Sequence, residues 1–187
     1  MSGQAKIISV FGSSHPRAGE PDYEDARLLG RALAERGFTI CTGGYSGVME
    51  AAARGAKEAA GQTLAITSRF FRSRVNAWVD EERPVESWQD RLFELIRLGH
   101  GYVACKGGTG TLAELAVVWE MLNKGVISAK PFVTLGEFWS PILERVREVE
   151  MMHGSRRGEA NGRLIHMAAG PREAAEFLFA AFGNGVR

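Results

Sequence analysis

The sequence predicts an α/β protein of three layers, in which helices cover both faces of a parallel sheet. Short apolar runs rich in β-branched residues alternate with longer segments of helical periodicity along the chain, which is typical of parallel strands joined by helices. Glycine-rich loops follow several of these runs. No internal repeat, low-complexity tract or linker interrupts the pattern, so residues 1–187 are predicted to form a single domain.

The strands are predicted from short apolar runs bounded by glycine or polar residues. The first run, Lys-Ile-Ile-Ser-Val-Phe, is rich in β-branched residues, and the fourth, Tyr-Val-Ala-Cys, has the apolar character of a buried strand. Residues 67–86 lack such a pattern and are predicted to be irregular, and the polar stretch 152–161 is predicted to be a loop. The predicted strands cover residues 6–11, 38–41, 63–66, 102–105, 130–135 and 163–167.

The helices are predicted from apolar spacing and from signals at their ends. In the first helix Ala26, Leu29 and Leu33 share one face, and a glycine ends the helix at position 37. Ser87 is the expected N-cap of the third helix, and Pro171 takes the first position of the last one. The predicted helices cover residues 22–36, 48–60, 87–98, 112–122, 138–149 and 171–182.

The bulk composition argues against several classes of protein. A net charge of +1 gives no electrostatic reason to expect a nucleic-acid or membrane partner. No apolar run reaches the length of a membrane-spanning helix, and the first residues lack the apolar core of a signal peptide, so we expect a cytoplasmic protein. Cys41 and Cys105 are predicted to be reduced, half-buried thiols. Because no histidine pair has suitable spacing, no metal site is expected.

Three loops that follow predicted strands carry residue types that bind phosphate. Carboxyl ends of parallel strands meet at one edge of a sheet, so the three loops should converge there. Glycines let the backbone approach an anion, and the start of the next helix directs N–H groups and a partial positive charge at it. The predicted ligand-binding residues are Gly12, Ser13, Ser14, Gly43, Gly44, Ser46, Gly47, Gly107, Gly108, Thr109, Gly110 and Thr111.

Alternatives remain open for these loops and for the carboxylate beside them. A tight turn without a ligand explains any single glycine-rich loop, and the spacing fits neither a Walker A loop nor the dinucleotide fingerprint. Glu114 lies close enough to act on a bound ligand. However, Thr111-Leu-Ala-Glu114 also fits a capping box, and the spacing alone does not separate the two roles.

Several basic residues also have competing interpretations. On spacing alone, Arg91 is a solvated residue on the face of the third helix. Arg69, Arg72 and Arg74 follow the third strand and either bind phosphate or lie in a surface loop, and the surface loop is favoured. His15 lies in the loop after the first strand, from which it can reach the same edge of the sheet.

Two of the loops resemble motifs of the Lonely Guy (LOG) family. Residues 43–49, Gly-Gly-Tyr-Ser-Gly-Val-Met, are similar to its Gly-Gly-Gly-x-x-Gly-Leu-Met segment, with Thr42 in place of the first glycine. Residues 107–114 match its Pro-Gly-Gly-x-Gly-Thr-x-x-Glu motif after the first position, which is Lys106 here. Gly-Ser-Ser at 12–14 matches its opening strand and loop, and the resemblance covers about residues 6–150.

The resemblance implies a Rossmann-like fold, a homodimer or higher homo-oligomer, and hydrolysis of the N-glycosidic bond of a nucleoside 5′-monophosphate without a cofactor. Arg91 and Glu114 match the family's catalytic residues. Leu92 replaces a lysine of the family, Trp88-Gln-Asp replaces its Met-His-x, and Lys106 replaces its proline. A related group of the superfamily resembles nucleotide or molybdenum-cofactor binders, so a non-catalytic binding or carrier protein is the alternative.

Overall fold

The computed structural model describes residues 5–71, 73–151 and 163–183, and its strands form one seven-stranded sheet. The strands are β1 (Ile7–Phe11), β2 (Thr39–Thr42), β3 (Thr63–Ser68), β4 (Glu81–Val85), β5 (Gly101–Ala104), β6 (Phe132–Leu135) and β7 (Ile165–Ala168). Every pairing is parallel, and the order across the sheet is β4-β3-β2-β1-β5-β6-β7. The loop predicted at 152–161 lies outside the described residues.

The helices of the described residues lie in two layers. They are α1 (Pro21–Ala34), α2 (Val48–Glu58), α3 (Trp88–Leu98), α4 (Thr109–Asn123), α5 (Ser140–Met151) and α6 (Pro171–Gly183). Buried side chains of α1, α2 and α6 form one apolar cluster with the sheet, and those of α3, α4 and α5 form another. The three-layer, Rossmann-like prediction is therefore confirmed. No helix in the described part of the chain is long and apolar enough to cross a membrane.

The strand order opens a crevice between the loops that follow β1 and β5. These two strands pair with each other, but the chain continues from β1 to β2 on one side and from β5 to β6 on the other. In open parallel sheets, ligands bind at the carboxyl edge where the strand order reverses in this way. A backbone hydrogen bond of 3.2 Å from Ser13 N–H to Lys106 C=O joins the two loops at this position.

The segment predicted to be irregular contains an edge strand. β4 pairs with β3 over five residues and has the sequence Glu-Glu-Arg-Pro-Val. Most of its side chains are exposed, and its proline and charges are typical of a strand that protects a sheet edge. A strand without a buried face has no alternation of apolar and polar residues, which explains why the prediction for 67–86 was wrong.

The two cysteines are free thiols, as predicted, but they are fully buried instead of half-buried. Cys41 lies within β2 and Cys105 directly follows β5, both enclosed by apolar side chains. Burial raises the pKa of each thiol to about 12, so both stay protonated at neutral pH and are unsuited to act as nucleophiles.

Candidate functional site

A cavity of about 380 Å³ opens at the carboxyl edge of the sheet, where the loops after β1, β2, β3 and β5 meet. This volume is within the usual range for small-molecule sites. The structure therefore brings together most of the residues predicted for the ligand. Those that line the cavity are Gly12, Ser13, Ser14, Gly43, Ser46, Gly108, Thr109, Gly110 and Thr111, together with Arg91 and Glu114.

Three glycines predicted to contact the ligand do not line the cavity, and their contacts show a role in shaping the loops. Gly44 and Gly47 have positive φ angles of 79° and 70°, which L side chains rarely adopt. A Cβ on Gly47 would overlap the carbonyl oxygen of Ser13, and one on Gly107 would overlap the side chain of Thr111. These glycines permit close packing of the loops that form the cavity, and their contact with a ligand stays a prediction.

The N-terminus of α4 supplies hydrogen-bond donors to the cavity. Gly108 is the N-cap, and the helix begins at Thr109, three residues before the predicted start at 112, because the glycines gave a weak helical signal. The amides of Thr109, Gly110 and Thr111 have no acceptor within the helix, since the first intrahelical bond runs from Leu112 N–H to Gly108 C=O. The first turn carries no acidic residue, so the positive end of the helix dipole is not neutralised.

Arg91 is buried at the floor of the cavity, so its interpretation as a solvated residue is wrong. Its Nε–H donates to the backbone oxygen of Ile66 at 3.0 Å, and Nη2 lies 3.5 Å from the sulfur of Met49. The guanidinium carbon also lies 5.4 Å from the ring centre of Tyr45 and 5.8 Å from that of Phe71. These contacts hold the cation in one position and keep it out of bulk water.

Glu114 faces Arg91 across the cavity floor. Its Oε1 lies 3.9 Å from Nη1 of Arg91, and its side chain is only 13% exposed. Burial raises the pKa of the Glu114 carboxyl to about 7, although the positive charge of Arg91 opposes that shift. The alternative of a capping box is wrong, because Thr111 already lies inside the helix and the N-cap receives no side-chain bond.

Gly43 lies against the guanidinium of Arg91. A Cβ at this position would overlap Nη2 of Arg91 and come within 2.8 Å of the sulfur of Met49. The φ angle of Gly43 is not positive, so the need for glycine comes from space and not from backbone conformation. The second glycine-rich loop therefore serves the site by making room for Arg91.

Sequence reasoning missed an apolar and aromatic wall of the cavity. Tyr45 lies within a glycine-rich loop, and Phe71 lies in the segment that is predicted to be irregular. The signal that indicates this wall is the cluster of aromatic residues after β3, which includes Phe71. The lining residues not predicted for the ligand are Val10, Phe11, Tyr45, Met49, Phe71, Ser73 and Trp88.

His15 also lines the cavity, as its loop position allowed. Its Nδ1 lies 3.0 Å from the hydroxyl oxygen of Ser13, and that oxygen accepts a hydrogen bond of 3.1 Å from the backbone N–H of His15. Ser13 and His15 lie beside the start of α4, because the backbone N–H of Ser13 donates to the carbonyl oxygen of Lys106 in the loop after β5.

Arg69 and Arg74, which follow β3, do not line the cavity. Arg69 forms an ion pair of 3.1 Å with Glu86, and both side chains are largely exposed. Neither Arg69 nor Arg74 lines the cavity, in agreement with the favoured surface-loop interpretation, and Arg72 lies outside the described residues.

Of the positions that depart from the LOG motifs, Trp88 lies in the cavity, whereas Leu92 and Lys106 point elsewhere. Leu92 is buried in the apolar cluster beneath α3. Lys106 Nζ forms an ion pair of 2.8 Å with Asp22 and does not line the cavity. Asp90 forms a capping box with Ser87, which confirms Ser87 as the N-cap.

The raised pKa of Glu114 predicts a stability that depends on pH. The folded-state pKa of about 7 exceeds the ordinary pKa of a glutamate, 4.5, so ionising Glu114 costs stability. That cost is absent below pH 4.5 and complete above pH 7. We expect Glu114→Gln to stabilise the protein by about 2 to 3 kcal/mol more at pH 8 than at pH 5.

Urea denaturation of both proteins at the two pH values measures this difference. Glu120→Gln is the control, because Glu120 is on the same helix with its side chain 59% exposed, and this variant should show little change at either pH. If Glu114→Gln stabilised the protein equally at pH 5 and pH 8, the pKa of Glu114 would not be raised.

With this geometry established, comparison with known proteins identifies the family. Residues 5–160 match the SLOG cluster4 family. The chain belongs to this family. Its membership, together with relatives named as LOG proteins, confirms the resemblance to the LOG family.

The curated relatives are identical to this chain at about one aligned residue in three. An uncharacterised protein of Archaeoglobus fulgidus is 33% identical over 121 residues, which are 63% of this chain and 79% of the relative. The cytokinin riboside 5′-monophosphate phosphoribohydrolase LOG of Oryza sativa is 30% identical over 146 residues, 74% of this chain and 58% of the relative. A pyrimidine/purine nucleotide 5′-monophosphate nucleosidase of Escherichia coli is 31% identical over 122 residues, 60% of this chain but only 27% of the relative.

Solved structures cover more of the chain. The molybdenum cofactor binding protein of Rippkaea orientalis superposes with a TM-score of 0.74 and 26% identity, covering 97% of this chain and 99% of that one. The molybdenum cofactor carrier protein of Chlamydomonas reinhardtii gives a TM-score of 0.70 and 25% identity, covering 96% of this chain and 97% of that one. The relatives thus include proteins named as hydrolases and proteins named as carriers. Homo-oligomerisation, cytoplasmic location and the roles of the site residues remain predictions.

Proposed function

We propose that this protein hydrolyses the N-glycosidic bond of a nucleoside 5′-monophosphate to a free base and ribose 5-phosphate. The observation that carries the proposal is the Arg91–Glu114 pair, buried in the same cavity as the N-terminus of α4. A phosphate site next to a buried carboxylate of raised pKa can anchor a nucleotide and act on its sugar. Relatives named as phosphoribohydrolase and nucleosidase support this class of reaction.

The 5′-phosphate binds at the start of α4 in this proposal. The amides of Thr109, Gly110 and Thr111 donate to its oxygens, and the hydroxyl groups of Thr109 and Thr111 add further donors. The site holds a dianion mainly with backbone dipoles, so no resident metal or redox cofactor is required. Holding the phosphate fixes the ribose over Glu114, which lies one turn further along the helix.

Glu114 acts at the ribose in its ionised form. As the glycosidic bond lengthens, positive charge develops on the ribose, and a carboxylate in a water-poor site stabilises that charge. The same carboxylate can accept a proton from the water that attacks the anomeric carbon, and this proton then passes to the departing base, so that Glu114 returns to its ionised form. Because the pKa of Glu114 is about 7, the required form is already populated at neutral pH.

Arg91 orients the substrate and assists the departing base. Its guanidinium stays charged, so it acts as a fixed hydrogen-bond donor and not as a proton donor. The bond from Nε–H to Ile66 and the two neighbouring aromatic rings hold it in place before substrate binds. A preorganised cation of this kind costs little reorganisation during the reaction.

A second function, a carrier or binding protein for a phosphorylated heterocycle such as molybdenum cofactor, is favoured by the solved structures. Two proteins named for that cofactor superpose over nearly the whole of both chains. The same phosphate-binding helix start and the same cavity would hold such a ligand. This alternative predicts binding without turnover.

Incubation with a panel of nucleoside 5′-monophosphates distinguishes the two functions. We expect release of free base and ribose 5-phosphate in equal amounts, measured by chromatography, from AMP and from at least one other member. The matching nucleosides without phosphate are the control and should react far more slowly, because they lack the group that α4 binds. Tight nucleotide binding without any base release would instead establish the carrier function.

A further inference from the structure

One wall of the cavity is aromatic, and two of its rings also hold Arg91 in place. This aromatic wall consists of Tyr45 from the loop after β2, Phe71 from the segment after β3, and Trp88 at the start of α3. We propose that it is the subsite for the planar base of the ligand and that Phe71 is the main stacking ring. The inference rests on the proposed function, because it specifies the base that the same site accepts.

The order of contacts along the cavity places the base at this wall. Glu114 lies three to five residues beyond the amides that bind phosphate, which is about 5 to 8 Å along a helix. Arg91 lies next to Glu114, and the rings of Tyr45 and Phe71 lie against its guanidinium. A nucleotide has the same order, in which the sugar separates phosphate from base. With the phosphate at α4 and the sugar at Glu114, the base reaches the aromatic wall.

The aromatic wall is held in place by hydrogen bonds on both sides of Phe71. Asn76 fixes the segment after β3 to the second glycine-rich loop, since its side-chain amide donates to the backbone oxygens of Gly44 and Tyr45 at 3.0 Å each. On the other side, the hydroxyl of Tyr45 donates to Ser68 C=O at 3.1 Å and accepts from Ser68 N–H at 3.0 Å. The rings of Tyr45 and Phe71 then meet edge to face at 5.7 Å.

The side chains of the aromatic wall favour stacking on the face of the base over hydrogen bonding to its edge. Phe71 has no polar atom and the hydroxyl of Tyr45 is bonded to Ser68, so the indole N–H of Trp88 is the polar group that this wall presents to a base. Stacking accepts any planar base and grows with ring area. The substrate class is therefore nucleoside monophosphates with either purine or pyrimidine bases, with purines bound more tightly.

Binding measurements with Phe71 variants test this inference. Dissociation constants for AMP, GMP, CMP, UMP and ribose 5-phosphate are measured by calorimetry in a Glu114→Gln background, which prevents turnover. Phe71→Ala should weaken AMP and GMP binding about tenfold or more, weaken CMP and UMP less, and leave ribose 5-phosphate unchanged. Phe71→Tyr, which retains the ring, should keep the parent affinities. Phe93→Ala is the matched control, because Phe93 is 52% exposed and does not line the cavity.

Two results would overturn the inference. One is an equal loss of affinity for AMP and ribose 5-phosphate in Phe71→Ala, and the other is no loss for any nucleotide. If Phe71→Ala does not fold, Phe71→Leu, which keeps apolar volume without a ring, replaces it with the same expectations. Failure of the proposed function gives a different result: Phe71 variants then alter nucleotide affinity as expected, while the wild-type protein releases no base.

Discussion

Replacing Glu114 by Ala is expected to lower the rate of base release about a thousandfold while leaving nucleotide affinity nearly unchanged. The reason is that the carboxylate acts on charge that develops only as the glycosidic bond breaks, so its loss affects the transition state more than the bound substrate. The phosphate contacts at the start of α4 remain, since α4 has Gly108 as its N-cap and does not depend on Glu114. Single-turnover rates with saturating AMP and a separate binding titration measure the two quantities.

Two matched variants show whether the effect belongs to the charge of Glu114. Glu114→Gln keeps the size of the side chain and removes the charge, so it should lose nearly as much activity as Glu114→Ala. Glu120→Ala, which removes an exposed carboxylate from the same helix, should retain full activity. Retention of base release by Glu114→Gln would show that the ionised carboxylate is not required. A loss of thermal stability in Glu114→Ala large enough to explain the lost activity would point to a structural role.

The fold was predictable because its signals are local. Strands buried on both faces, such as β5, are short apolar runs, and the helices carry end signals that the structure confirms at Ser87 and Pro171. The edge strand β4 escaped prediction because it buries little surface, and burial is what creates an apolar pattern. The start of α4 was placed too late because Gly108 is its N-cap and Gly110 lies in its first turn, and glycine has a low helix propensity.

The site was predictable only in part, because its chemistry depends on contacts between distant segments. The glycine-rich loops identified the phosphate end, since strand, loop and helix are consecutive in sequence. Nothing in the spacing of Arg91 and Glu114 shows that their side chains meet, and only the family resemblance suggested the pair. Phe71 lies on a segment without a pattern of its own, and its position depends on Asn76 and Tyr45. Burial of Arg91 also needs the space that Gly43 leaves by having no side chain. The need for this space cannot be read from the sequence.

Gly43→Ala should lower kcat/KM for base release about a hundredfold without unfolding the protein. The added Cβ overlaps the guanidinium of Arg91, and because this group ends a long side chain it is displaced from its contacts while the backbone stays in place. Displacement of a positioning group by about 1 Å can cost that much activity. Gly170→Ala is the control, because a Cβ there meets no atom within 4 Å and Gly170 lies outside the cavity. Steady-state kinetics and thermal melting of the two variants provide the comparison.

A double-mutant cycle identifies the mechanism of the Gly43→Ala effect. If the new methyl group acts only by moving Arg91, then Gly43→Ala combined with Arg91→Ala should be no less active than Arg91→Ala alone. Additive losses would mean that Gly43 contributes to the site independently of Arg91, through the path of its loop or through direct contact with the ligand. A fully active Gly43→Ala would show that the guanidinium tolerates displacement. The contacts of Arg91 with Ile66, Met49 and the two aromatic rings would then matter for stability and not for catalysis.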